Sequence, residues 1–253
     1  MLVTVLDFET TGVDSGKDQI LEIGAVVVDT RLKRMVTAFS QIIAPIHPVD
    51  PNIYTEITPL TGLTEPLVSS FGIEAGHAGE VLEAMIGLST NFICAHNAPF
   101  EKAFVERYWP SLATNLVWLD TATDLELPPH YKGGHSLGQL CYESHISNPF
   151  PHSALGDAMA TALLLMSCDI EKTVDNATAT KVEVIAMVSY DNRQQAKDAG
   201  FRFDGNGKAW KKTIKEKDLD DLKAGWPFAV QIVQPVKTYK SETVEPFLEP
   251  ANV

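Results

Sequence analysis

The sequence predicts an α/β fold: a mixed five-stranded sheet flanked by helices, followed by a small α+β domain. Three observations lead there. The chain opens on an apolar run at 2–6 that ends in the acidic group Asp7-Phe8-Glu9. Two further β-branched runs, 20–28 and 35–43, follow across short turns near Asp14-Ser15-Gly16 and 30–33, which reads as a three-stranded antiparallel meander. Beyond residue 90, short buried runs alternate with helix-like stretches, as an α/β sheet requires.

The elements follow in order. The first strand is apolar enough to be central, with its carboxylates at its end. An irregular crossing is expected at 45–51 and short helical or turn pieces at 58–67. Val81, Leu82, Met85 and Ile86 recur at helical spacing within 80–88. A short buried strand occupies 92–95, and Pro99 opens a helix reaching about Tyr108, proline being tolerated in a first turn. A fifth strand is expected at 116–119 and helices at 136–142 and 154–166, the latter capped by Ser153. The stretch 171–181 is polar and without clear period, and reads as a linker that closes a first domain at 1–170. A second domain, 182–233, is expected to hold a strand at 184–190 and a helix at 192–199 closed by Gly200. A hairpin around 204–207, a helix at 217–224 and a last strand at 228–233 complete it. The tail 234–253 is expected to be loosely ordered.

At 253 residues and 45% hydrophobic, the chain can bury one full core and still supply a small second module. No run approaches the roughly 18 apolar residues of a membrane span. The first ten residues carry Asp7 and Glu9 and no basic segment, so they do not read as a signal peptide. Cys94, Cys141 and Cys168 are odd in number and widely spaced, with no CxxC pair; buried thiols in a reducing cytoplasm are expected. The net charge is −13, and it is unevenly placed: residues 1–180 hold 8 Lys+Arg against 22 Asp+Glu, a net of −14, whereas 181–253 hold 12 against 11. An acidic domain can still handle phosphates if divalent cations invert the local charge.

Asp7 and Glu9 are two apart on a strand, so they share a face. Carboxylates that close raise one another's pKa unless a cation lies between them. Two other pieces carry candidate acids. Ala95-His96-Asn97-Ala98-Pro99-Phe100-Glu101 puts Glu101 in the first turn of a helix after a strand. His152-Ser153-Ala154-Leu155-Gly156-Asp157 puts His152 just outside a helix and Asp157 in its first turns. Taken singly, each has an ordinary reading: a solvated pair, a carboxylate favoured by a helix dipole, a structural histidine.

In this order, DxE, HNxPFE and HxxxxD resemble the DEDDh family of 3′–5′ exonucleases, which have an RNase H-like fold. Thr10-Thr11-Gly12, Leu60-Thr61-Gly62-Leu63-Thr64, Trp118-Leu119-Asp120-Thr121 and His135-Ser136-Leu137 agree with it, and the resemblance covers about 2–168. It implies two divalent ions, Mg²⁺ or Mn²⁺, held by Asp7, Glu9, Glu101 and Asp157. Asp7 would serve both ions, Glu9 and Asp157 the one beside the attacking water, and Glu101 the other. His152 would be the general base, a role for which histidine is the commonest side chain. Thr10, Thr11 and Gly12 would approach the terminal sugar, Leu63 the last base, and Asn97 and Phe100 the groove. The implied partner is a single-stranded DNA 3′ end, with nucleoside 5′-monophosphates as product and no role for a membrane. The family's middle acid is normally Asp; Glu101 adds one methylene, about 1.5 Å of reach. Two other readings stay open: the same chemistry on RNA, or a nucleic-acid-binding protein whose catalysis Glu101 has weakened.

Residues 182–233 resemble the small domain that follows some exonuclease X-like enzymes, through Val188-Ser189-Tyr190-Asp191, Gly200-Phe201-Arg202-Phe203-Asp204 and Lys208-Ala209-Trp210-Lys211-Lys212. Between 189 and 217, 8 Lys+Arg stand against 4 Asp+Glu, interleaved with aromatic residues. That mixture suits single-strand binding by phosphate pairing and base stacking, with Trp210 as a candidate platform. The competing expectation is that Phe201 and Phe203 form the domain's own core.

Overall fold

A computed structural model describes residues 1–89, 91–127, 136–205 and 207–236. His135 and Asn206, and the expected loose tail beyond 236, lie outside the described residues. The chain divides into two compact units, 1–177 and 178–253.

The first unit is built on β1 (Leu2–Thr10), β2 (Ile20–Asp29), β3 (Arg34–Ile42), β4 (Phe92–Ala95) and β5 (Val117–Asp120). Their order is β3-β2-β1-β4-β5, with the meander antiparallel and β1, β4 and β5 parallel. This is the mixed five-stranded sheet expected, an RNase H-like fold. The chain leaves β3 on one side of β1 and re-enters at β4 on the other. That switch opens a crevice at the carboxyl ends of β1 and β4, where α/β sheets place their ligands.

Alternation along β1 divides two cores. Val3 and Val5 face a cluster with Val26, Val28, Leu140, Ala158 and Leu165. Leu6 and Phe8 face the other, with Ile23, Leu82, Met85 and Phe104. The first face is covered by α5 (Leu137–Glu143) and α6 (Ala154–Ser167), the second by α3 (Ala75–Leu88) and α4 (Ala98–Tyr108). The buried face of α6 includes Ala154, Ala158, Ala160 and Ala162, and these small residues let the helix lie close to the sheet. Thr4 is fully buried, yet its hydroxyl donates to the Met85 carbonyl at 3.0 Å, so the central strand leaves no orphan there.

The stretch 45–71 holds more helix than expected. Asp50 caps α1 (Pro51–Thr61), which ends at Gly62 with φ 74°, a left-handed conformation that suits glycine. Thr64 caps α2 (Glu65–Phe71). Leu63 between them is buried at 4% exposure with Leu21, Tyr54 and Val68. Its side chain packs inside the unit, not out toward a base.

The expected linker at 171–181 is instead helix and strand. Asp169 receives the backbone N–H groups of Glu171 and Lys172 at 3.0 and 3.2 Å and starts α7 (Ile170–Thr178). Ile170, Thr173, Val174 and Ala177 form an i, i+3, i+4, i+7 stripe against the α6 side of the core. Threonine at one of the four positions hides the period from a hydropathy reading.

The second unit is a four-stranded antiparallel sheet, β7-β8-β6-β9. It comprises β6 (Lys181–Ala186), α8 (Arg193–Asp198), β7 (Arg202–Asp204), β8 (Ala209–Lys215), α9 (Leu219–Gly225) and β9 (Val230–Val236). The first strand begins at Lys181, earlier than expected, and the last runs to Val236, into the stretch read as tail. Val182, Val184, Ala196, Phe201 and Ile214 form its core. Trp226 and Phe228 stack at 6.0 Å, and Phe201 meets both edge-on. Phe203, expected in the core, is 55% exposed at the edge strand, in contact with half-buried Trp210.

Candidate active site

The acids meet where β1, α4 and α6 end or begin. Asp7 and Glu9 project from the face of β1 that α6 covers. Opposite them on β2 stand Gly24, paired with Asp7, and Glu22, paired with Glu9. A Cβ on Gly24 would lie 2.1 Å from the carbonyl carbon of Ala154, so only glycine lets the first turn of α6 rest on the sheet here. That contact brings Asp157 over the strand pair. One ligand atom each from Glu9, His152 and Asp157 lies within 4.8 Å of the others.

Asp157 is held by its own loop. His152 sits in a tight turn with φ 60°, and its backbone N–H donates to Asp157 Oδ2 at 3.1 Å. The Asn148 side-chain amide donates to Asp157 Oδ1. The His152 ring is left exposed at the rim. Ser153 precedes the helix but makes no side-chain cap; the free N–H of Ala154 instead donates to Glu22 Oε2 at 3.1 Å, and the Ser153 hydroxyl to Glu22 Oε1 at 3.4 Å.

Glu101 arrives from the other side of the sheet. Asn97 turns the chain out of β4 with φ 71°, and its N–H donates to Asp120 Oδ1 at 2.9 Å. Asp120 also receives the Ala122 N–H at 2.9 Å. This pins the start of α4 and places Glu101 inside, at 2% exposure, with Oε2 lacking any hydrogen-bond partner.

The electrostatics follow from crowding. Burial, then repulsion by Glu101, Asp157, Glu9 and Glu22, holds Asp7 well above the ordinary carboxylate range. Burial, then Asp120 and Glu9, does the same to Glu101. Glu9 is pushed up to about 7 by burial, then by Asp157 and Glu22. An unpartnered carboxylate oxygen inside such a cluster is expensive, and a divalent cation is what an all-oxygen donor set of this charge fits.

Thr10, Thr11 and Gly12 shape a loop after β1. The Thr10 hydroxyl donates to the Gly12 carbonyl at 2.6 Å, and the Thr11 hydroxyl accepts the Gln19 N–H at 2.9 Å. From α4, one Arg107 nitrogen donates to the carbonyls of Ser15 and Asp18, both at 2.6 Å, and tethers the loop. Asn97 is exposed at the crevice, whereas Phe100 is half-buried against Phe104. Trp210 belongs to the second unit. Sequence reasoning missed Glu22, Asn148, Arg107 and the positioning role of Asp120. Glu22 alone carried a signal: it is the single charge inside the apolar run 20–28.

Residues 4–165 match the family model described as exonuclease. The chain belongs to the exonuclease family. The exonuclease domain is similar to a PolC-type DNA polymerase III of Thermotoga petrophila, 33% identical over 168 residues, 64% of this chain and 11% of that protein. It is also similar to the 3′-5′ exonuclease DinG of Bacillus subtilis, 29% identical over 167 residues, 64% of this chain and 17% of that protein. The chain spans about a tenth of the length of the first curated relatives it matches. The zinc-bound form of an E. coli ExoI–ssDNA complex shares the exonuclease fold at a TM-score of 0.56, with 12% identity, over 77% of this chain and 49% of that one. Residues 182–233 match a second family model, a domain of unknown function. Among the described residues, no helix is long and apolar enough to cross a membrane.

Proposed function

We propose that this chain is a metal-dependent 3′–5′ exonuclease that shortens DNA and releases nucleoside 5′-monophosphates. The observation that carries this reading is Glu101: a buried carboxylate with an unpartnered oxygen, beside three more acids at the crevice of an exonuclease fold. Asp7, Glu9, Glu101 and Asp157 would hold two Mg²⁺ or Mn²⁺ ions. Those ions would supply positive charge for the scissile phosphate and lower the pKa of the attacking water.

The chain's own residues do the rest. His152, exposed at the rim with a ring nitrogen near Glu9 and Asp157, accepts the proton of the attacking water. Its backbone bond to Asp157 couples base and acid in one rigid turn. The Thr10–Gly12 loop, held by Gln19 and Arg107, offers backbone to the terminal sugar, and Asn97 borders the strand's path. DNA as substrate is supported by those relatives that are PolC-type DNA polymerase III chains, and by the single-stranded DNA in the structural neighbour. The second unit would hold the outgoing single strand on its exposed cations and aromatic residues.

The test compares single-stranded DNA, double-stranded DNA and RNA, each labelled at either end, with Mg²⁺, Mn²⁺ or chelator. Metal-dependent release of labelled mononucleotide from 3′-labelled DNA is expected. Release from the 5′ label first, or turnover in chelator, would overturn the reading.

A further inference from the structure

Glu22 lies outside the acidic motifs, yet it ties helix α6 to the sheet. On β2 it stands directly opposite Glu9, two residues before Gly24, where strand and helix backbones touch. Both of its carboxylate oxygens are engaged: Oε2 by the Ala154 N–H at 3.1 Å, Oε1 by the Ser153 hydroxyl at 3.4 Å. Ser153 in turn accepts the backbone N–H of Asp157 at 2.9 Å and is the chain neighbour of His152. One side chain therefore grips the two residues that follow the base and open the turn leading to the acid.

We propose that Glu22 is a positioning residue for the reaction: its cap on α6 fixes His152 and Asp157 relative to Asp7 and Glu9, while it ligates no cation itself. This rests on the exonuclease reading above. A purely stabilising cap would be built differently. Ser153 sits at the cap position and could accept its own helix's N–H locally, at no electrostatic cost. A carboxylate reaching across from β2 faces Glu9, and like charges directly opposite on a sheet destabilise it. What the cross-strand cap adds is a fixed link between strand and helix, which a local cap cannot give. At 9% exposure, Glu22 leaves little room for water to replace that link.

The test uses the full chain with Glu22→Ala and Glu22→Gln. Three quantities are read: Mn²⁺ affinity by calorimetry, amide exchange in the first turn of α6, and single-turnover cleavage of a 3′-labelled oligonucleotide. Orienting partners of metal ligands are typically worth 10–100-fold in affinity or activity, so Glu22→Ala should lose about that much in Mn²⁺ affinity and rate. Exchange at Ala154 should quicken while KM for the oligonucleotide holds. Glu22→Gln keeps an acceptor oxygen for Ala154 and should recover most of the loss. Wild-type Mn²⁺ affinity and rate in Glu22→Ala would overturn the proposal. So would a Glu22→Gln variant as deficient as Ala with its α6 protection intact, which would make Glu22 a ligand. If Glu22→Ala does not fold, Ser153→Ala removes one of the two contacts: an intermediate loss supports the proposal and no loss overturns it. Absence of Mn²⁺ binding in the wild type would instead sink the exonuclease reading, with exchange at Ala154 in the Glu22 variants still reporting on the cap.

Discussion

Glu9 and Glu22 face each other across the β1–β2 ladder, two carboxylates on the same side of an antiparallel pair. Neither has a cationic partner among the interactions that shift its pKa, and Glu9 holds its proton up to about 7. An unfolded Glu titrates at about 4.3. Between those values the folded chain binds more protons than the unfolded one, so metal-free stability falls as pH rises across that window. We therefore expect the metal-free Tm to be higher at pH 5 than at pH 7.5. Mn²⁺ should raise Tm more at pH 7.5, where the acids are free of protons. Thermal melts with chelator and with Mn²⁺ at both pH values check this; a metal-free Tm that climbs from pH 5 to pH 7.5 would contradict it.

Neutralising one acid should separate folding from chemistry. Asp7→Asn removes a charge from a crowded site, so its metal-free Tm should equal or exceed that of the wild type at pH 7.5, whereas Asp157→Asn also loses an acceptor for the Asn148 or His152 N–H and should be less stable than Asp7→Asn. Turnover should fall by about a thousandfold or more, roughly 4 kcal/mol of barrier. Paired melts and rate measurements test both halves, and an active Asp7→Asn would remove the metal site from the mechanism.

Gly24→Ala is a test of distance. The added carbon would meet the Ala154 carbonyl carbon at 2.1 Å, a backbone contact that no rotamer change relieves. Helix α6 must lift, at a cost of about 1–3 kcal/mol or more. Asp157 and His152 would move with it. We expect a lower Tm and a loss of rate larger than that destabilisation alone explains; activity near wild type at a temperature well below Tm would show that the site tolerates the shift.

The strands were legible, and the five motif residues stood out as candidates, because each is a local pattern: an apolar run ending in DxE, a proline opening a helix, a histidine before a helix start. The supports of the site were not. Glu22 caps a helix more than 130 residues away in sequence, and Asp120 pins the turn at Asn97 from a different strand. Nothing local announces such partners. Helix α7 escaped because Thr173 occupies a core position, its hydroxyl satisfied by the Asp169 carbonyl at 2.8 Å. Leu63 and Phe203 exchanged the environments expected of them, since burial depends on what a distant segment covers.

Shortening Glu101 to Asp tests how far the buried acid is tuned. The change withdraws the carboxylate by about 1.5 Å. It also removes a buried methylene worth about 0.8 kcal/mol. We expect a small drop in Tm and a kcat/KM within about tenfold of wild type, since cations coordinate either carboxylate and water can bridge a short gap. A larger loss in kcat/KM would mean that the site is built around the longer arm.

Eight cations lie between 189 and 217, but the structure commits some of them. Lys211 pairs with Glu183 at 3.3 Å and with Asp204 at 3.0 Å. Lys212 is half-buried, its charge disfavoured by that burial, and it donates to the Ala199 carbonyl at 2.7 Å. Arg193, Lys197, Arg202, Lys208 and Lys217 remain exposed, and Arg193 lies 3.9 Å over the ring of Tyr190, itself 77% exposed. If these five contact phosphates, each should add about 0.7 to the salt slope of single-strand binding, an upper bound near 3.5 for the unit. A chain ending at Ala177 retains the whole acidic cluster and should still cleave short oligonucleotides. It should bind long single strands more weakly, with a slope shallower by no more than that bound. The measurement is a salt titration of affinity for both lengths, in an Asp7→Asn background so that the strand survives. Equal slopes would mean that the second unit does not touch the strand, and a difference well beyond 3.5 would mean that cations outside this stretch contribute as well.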